Sequence, residues 1–279
     1  MHIRRLIFKV SFLTLSMYIL TCITACVHVG KGTSNLQQVD TTSLMDLMSL
    51  KQPPKSKKKK ASTGIRYQAI KEGALSVGAQ GGLAHRSRAI NKVLATQRKS
   101  LDRAFDFNGM LLDHSVLPPV LVEGDHTLNL DSDDTIRVAD KTYSLVSQAR
   151  FVTTVPLWSD YLWMNFTRPA VPDSSLLPRD AEEDKIWQEN VLIGWKKGLA
   201  QAESIYESNV ARLKRDYEGM ALYRELLAKN MISPPFVAKT DLGVTGGGEN
   251  LTVNDRIFRI TAKPQLNPNT RNWKPIVQQ

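Results

Sequence analysis

A mixed α+β fold, mainly helical with long helices and two small β-hairpins, is what this sequence predicts, on three observations. Apolar residues recur at spacings of three and four over two stretches, about 65–112 and 180–231. Each stretch runs toward a Pro-Pro pair, Pro118-Pro119 and Pro234-Pro235, and proline disfavours helical geometry at the residue before it. Past each pair lie alternating apolar runs around turn residues, which is hairpin chemistry.

The two halves resemble each other. Residues 110–121 (MLLDHSVLPPVL) match 226–237 (LLAKNMISPPFV) at an offset of 116. Residues 136–145 (IRVADKTYSL) match 251–260 (LTVNDRIFRI) at an offset of 115. Two matches at nearly one offset predict an internal duplication, each copy reading helix, Pro-Pro, extended loop, hairpin. The Asp-containing centres, Asp140-Lys141 and Asn254-Asp255, are the expected hairpin turns.

In chain order, the first element is an export signal over 1–25. Arg4, Arg5 and Lys9 form its basic region and Val10 to Ile23 an uncharged apolar stretch. That stretch is short for a bilayer span, which takes about 20 apolar residues. Ile23-Thr24-Ala25-Cys26 reads as a bacterial lipobox: an aliphatic residue, two small ones, then the cysteine whose thiol takes the lipid. Cys26 is therefore the expected lipidation site, carrying palmitate-type acyl chains, and Val27, not acidic, points to the outer membrane. Cys22 lies in the signal, so no disulfide, cysteine nucleophile or cysteine-rich zinc site is expected in the folded part.

Residues 26–63 form an expected lipidated, flexible, Lys-rich tether, too poor in aliphatic side chains to offset the cost of ordering. Leu44-Met45-Leu47-Met48 is the exception, a candidate docking motif within a spacer. The formal charge of +10 is concentrated here and in the signal, with Lys51, Lys55 and Lys57–Lys60. From residue 64 to 279, the expected folded core, the chain is close to neutral. The Lys57–Lys60 run has no aromatic residues for base stacking, so direct nucleic-acid binding is not expected. A composition of 42% apolar and 23% charged residues is that of a globular chain. A mean hydropathy of -0.25 excludes a polytopic membrane protein.

Within the core, Trp187, Val191, Trp195, Leu199, Ala202, Tyr206, Val210, Leu213, Tyr217 and Met220 mark one face of a long second helix. Glu182-Glu183-Asp184 sits in its first turn, where the helix dipole favours acids. The first helical arm is interrupted by Gly78, Gly81 and Gly82, where a break or a close backbone contact is expected.

No reaction signature stands out. His85, His114 and His126 follow no zinc-ligand spacing. Asp131-Ser132-Asp133-Asp134 starts like a calcium loop but has Ile136 and Thr142 where glycine and glutamate belong, so a polar turn before the first hairpin is expected. Gly243 to Gly248 lacks the Lys-Ser/Thr of a phosphate loop and reads as a mobile loop before the second hairpin. No catalytic, metal or cofactor residue is expected. Trp158, Tyr161, Trp163 and Trp195 are candidate interface anchors, with core packing as the competing reading. A periplasmic cell-wall hydrolase and a DNA-contacting component are the alternatives from other function classes.

The runs VGAQGGLAHRSRAIN (77–91), FDFNGMLLDHSVLPPVLVEG (105–124), ARFVTTVPLWSDYLWM (149–164) and LKRDYEGMALYRELLAKNMISPPFVAKTDLGVTG (213–246) resemble the DotC family. These are lipoproteins of type IVB secretion systems, with counterparts in IncI-type conjugative plasmids called TraI lipoproteins. The likeness runs from about Arg66 to Trp273, and the conjugative setting is the expected one. It implies an outer-membrane lipoprotein scaffold, present in several copies, that helps place a DotH-like subunit in the outer membrane together with a DotD-like lipoprotein. Of functional positions it carries over only the acylated cysteine, here Cys26.

Overall fold

The computed structural model describes residues 43–52 and 64–274. The signal, Cys26 and the Lys57–Lys60 run lie outside the described residues. The fold is α+β and mainly helical, with two long helices and small two-stranded antiparallel sheets.

The helices are α1 (Leu44–Met48), α2 (Gly64–Thr96), α3 (Arg98–Ala104), α4 (Trp158–Leu162) and α5 (Ala181–Ala228). Asp180 caps α5, its carboxylate accepting from the backbone N–H groups of Glu182 and Glu183 at 3.1 and 2.9 Å. At the other end Asn230 takes a left-handed φ of 56°, and Pro234-Pro235 follows. Its 48 residues span about 72 Å at 1.5 Å per residue. All ten residues of the apolar stripe named above are buried or pack against the core.

α2 and α5 run parallel. Contacts advance together along both, from Arg66–Glu183 through Gly78–Val191 to Arg86–Glu203. The glycines of α2 do not break it. Gly78 and Gly82 let the helix backbones touch, and Gly194 and Gly198 of α5 make the reciprocal contacts, while Gly81 admits the Leu47 and Trp195 side chains. A Cβ on Gly78 would lie 2.3 Å from the Val191 carbonyl oxygen, and one on Gly194 2.3 Å from that of Leu75. A Cβ on Gly82 would lie 2.3 Å from the Trp195 oxygen, and one on Gly198 2.1 Å from that of Ala79. Only glycine allows this approach. Each contact maps onto its reciprocal by adding 116, so the two copies cross about a local pseudo-twofold. The first arm bends later, at Gln97, so that Leu94 and Leu101 both meet the cluster around Leu213.

The strands are β1 (Val116–Leu117), β2 (Val120–Ser132), β3 (Thr135–Ser147), β4 (Arg150–Phe151), β5 (Phe236–Gly247) and β6 (Asn250–Ala262). β1 pairs with β4, and β2–β3 and β5–β6 form two long ribbons. The ribbons are larger than the alternating runs suggested, because the turns lie earlier in the chain. Asp140-Lys141 and Asn254-Asp255 fall within β3 and β6; Asn254, with φ of 57°, marks a ladder irregularity and not a turn. The true turns are Asp133-Asp134 and Gly248-Glu249. The Asp131–Asp134 segment is thus the tip of the first ribbon, not a turn before it. The Gly243–Gly248 run is the end of β5 and its turn, not a loop ahead of the ribbon. Gly243, Gly246 and Gly248 have φ of 75°, 119° and 37°, which suits glycine at a bulge and a tight turn.

The docking patch belongs to the folded body, which corrects the tether boundary for these ten residues. Leu47 of α1 is fully buried with Val77, Trp187 and Trp195, and the Trp187 indole donates to its carbonyl oxygen at 2.9 Å. Composition averaged over a window reads residues 43–52 as spacer, whereas two leucines suffice to cover two tryptophans.

Candidate functional site

Two places carry chemistry that packing alone does not explain. The first is the joint at the start of α2 and α5. Arg66 grips Glu183 through Nε and Nη2 at 2.7 and 2.9 Å and donates to the Ser175 and Leu177 carbonyl oxygens at 2.6 and 3.2 Å. The Arg179 backbone N–H also donates to Glu183 at 2.9 Å. Glu183 is fully buried and its carboxylate is saturated, which is the condition under which a buried ion pair holds. Lys51 reaches Asp184 at 2.9 Å, and Gln52 is bonded to Pro178 and Ser174. Residues 43–52 are thus held to the body through a closely bonded joint.

The second is the pair of ribbons. In the first, Leu128 faces Val138 and Leu130 faces Ile136, all on one side and 61–70% exposed. In the second, Val244 faces Val253 beside Leu251, 62–71% exposed. These are equivalent positions in the two copies. A lone two-stranded ribbon is marginal in water, and clustered exposed apolar side chains mark contact surfaces. On the first ribbon Lys141 bonds to Glu123 and holds its carboxyl below the usual range, while the Lys141 ammonium is raised in turn.

Of the four aromatic anchor candidates, three are packed into the body. Trp158 is buried and donates to Asp102 at 2.6 Å. Trp195 closes the glycine crossing. Tyr161 donates to Asp216 at 3.2 Å beneath the Arg212 guanidinium. Burial, then the Asp216 charge, pushes its hydroxyl up to about 12. Trp163 remains exposed, at 44%. His85 lies against Trp195, His114 stacks on Phe258 and His126 sits in β2, all three exposed. Among the described residues no group of three or more His, Cys, Asp or Glu converges as a metal site. Nor is any helix there long and apolar enough to cross a membrane.

Sequence reasoning missed the reciprocal glycines, although Gly78/Gly194 and Gly82/Gly198 stand at the same offset of 116. Carrying the repeat back along the helices would have paired them in advance.

A family model described as type IV secretory system, conjugal DNA-protein transfer, matches residues 64–275. No curated protein matches the chain.

Proposed function

The chain belongs to the family described as type IV secretory system, conjugal DNA-protein transfer, and on that premise we propose that it is an outer-membrane lipoprotein scaffold of the transfer apparatus, DotC-like in role. Lipid on Cys26 anchors it. The core, facing the periplasm, presents surfaces to a DotD-like lipoprotein and a DotH-like core subunit and helps place the latter in the outer membrane. Its action is positional and not catalytic.

The observation that carries this reading is the pair of long ribbons with exposed apolar faces, attached to a body whose helix pair is locked by reciprocal glycines. Such a body spends its side chains on rigidity in one place and on contact area in another. The joint at Arg66 and Glu183 supports anchoring, since residues 43–52 are tied to α5 there through Lys51–Asp184 and the Trp187–Leu47 bond.

Cys26→Ser tests it. The variant is expected to leave the outer-membrane fraction, and the DotH-like subunit with it. Unchanged fractionation and unchanged co-purification of both partners would refute anchoring through this residue.

A further inference from the structure

The first ribbon shows what the stem of such a ribbon needs. Val120 and Leu121 are 3% and 1% exposed because β2 lies against α5, its backbone 2.5 Å from where a Cβ on Gly219 would stand. Tyr143 and Leu145 complete this contact against Tyr223 and Leu226. The repeat offsets assign Phe236, Val237, Phe258 and Ile260 as the counterparts on the second ribbon. There the packing is different. Phe236 is 65% exposed and Phe258 37%, and the extended packing of β2 on α5 has no counterpart for β5 or β6 among the described residues.

The chain itself explains why. The equivalent helix would run through residues 97–112, but α3 ends at Ala104. Phe107 and Met110, counterparts of Tyr223 and Leu226, turn into the cluster around Trp158 and Leu213. Arg103 stands where Gly219 should be, so close approach of a strand is blocked. What remains beside Val237 is an open groove of about 500 Å³, bounded by Leu112, His114, Leu227 and Pro234. Tyr223 also lines it, fully buried, with a hydroxyl that has no hydrogen-bond partner.

We propose that the stem of the second ribbon is the docking site for an amphipathic helix of a partner subunit, received against Phe236, Val237 and Ile260 as α5 receives the stem of the first. The first ribbon defines the chemistry of the occupant: a small residue where the strand backbone approaches, followed at helical spacing by large apolar ones, as in Gly219, Met220, Tyr223 and Leu226. Arg259 and Lys263 flank the stem, exposed and outside every ion pair among the described residues, so the helix carries acidic residues at its margin. A second copy of this chain is not the source, because its own matching face on α5 is covered by its own β2. The polar groove wall of Asp113, His114 and Arg224 disfavours a lipid surface. The proposal does not depend on lipidation and stands whatever the Cys26→Ser result.

The test titrates the whole chain with a labelled peptide of residues 207–228, the segment that covers the first stem, stapled on its solvent side and verified as helical. Saturable one-to-one binding is expected by fluorescence anisotropy. Phe236→Asp and Val237→Asp should each weaken it at least tenfold, as should Gly219→Trp in the peptide, while Leu128→Asp leaves it unchanged. The two stem positions are exposed and half-buried, and the two variants check each other for folding by near-UV circular dichroism. Failure to saturate, or equal affinity for folded stem variants and the unaltered chain, would overturn the proposal.

Discussion

The two ribbons are built alike and held differently. Both have strands of 12 or 13 residues, follow a Pro-Pro pair (buried before the first ribbon, largely exposed before the second) and carry an exposed apolar face toward the tip. The first is seated on α5 through Gly219; the second rests on a turn, with His114 stacked on Phe258. One glycine replaced by Arg103 and one helix stopped at Ala104 separate a covered stem from an open one. A duplicated element keeps its fold when its support is lost, provided that something else covers its apolar residues.

The largest effect comes from disrupting the helix pair itself. Gly198→Leu drives a side chain into the Ala79 carbonyl 2.1 Å from the Cβ position, and Gly194→Leu does the same at Leu75. Each should cost upward of about 4 kcal/mol, seen as loss of the cooperative thermal transition. Gly64→Ala, with nothing within 4 Å, should cost nothing measurable. Intact melting of Gly198→Leu would mean that the crossing is not what holds the helices.

Next comes the contrast between stems. Leu121→Ala empties a buried site and should lose about 2–5 kcal/mol in urea unfolding, while Val237→Ala should lose less than about 1. Equal losses would erase the difference between the ribbons.

Tyr223 packs in the first stem and lines the groove beside the second, and its hydroxyl sharpens the comparison. Tyr223→Phe removes an unpaired buried group and should be neutral or stabilising by about 1 kcal/mol, whereas Tyr161→Phe loses the Asp216 bond and should cost about that much. Burial pushes Tyr223 up to about 12, as it does Tyr161. Unfolded tyrosines ionise near pH 10. Between about pH 10 and 12 the unfolded chain releases protons that the folded chain keeps, so stability falls with rising pH across that window. Absorbance at the phenolate band against pH should show late-titrating tyrosines, with Tyr161 and Tyr223 held up to about 12; titration of all near pH 10 would contradict it.

The smallest effect is at the tips. Leu128→Lys and Leu251→Lys should each shift stability by no more than about 0.5 kcal/mol, since both side chains are already in water. A large loss at either would mean that the tip packs within the chain.

Much of this was legible in the sequence. Asp180, the three acids after it and a ten-residue apolar stripe specify α5, because caps and periods act within a few residues of where they are written; the Pro-Pro rule did less, since the first arm already stops at Ala104, well before Pro118, and α5 ends at Ala228, ahead of Pro234. The duplication was legible for the same reason, as a repeat of local patterns. What reasoning along the chain could not reach depends on a partner segment elsewhere in the chain. Gly78 reads as a helix breaker until Gly194 stands opposite it, and Leu47 reads as spacer until Trp187 needs a cover. Asp140 reads as a turn until a 13-residue partner strand pairs past it. Trp158 reads equally well as surface anchor or core. Tertiary structure decided these, because burial and backbone approach are properties of two segments together, and neither segment's sequence contains the other.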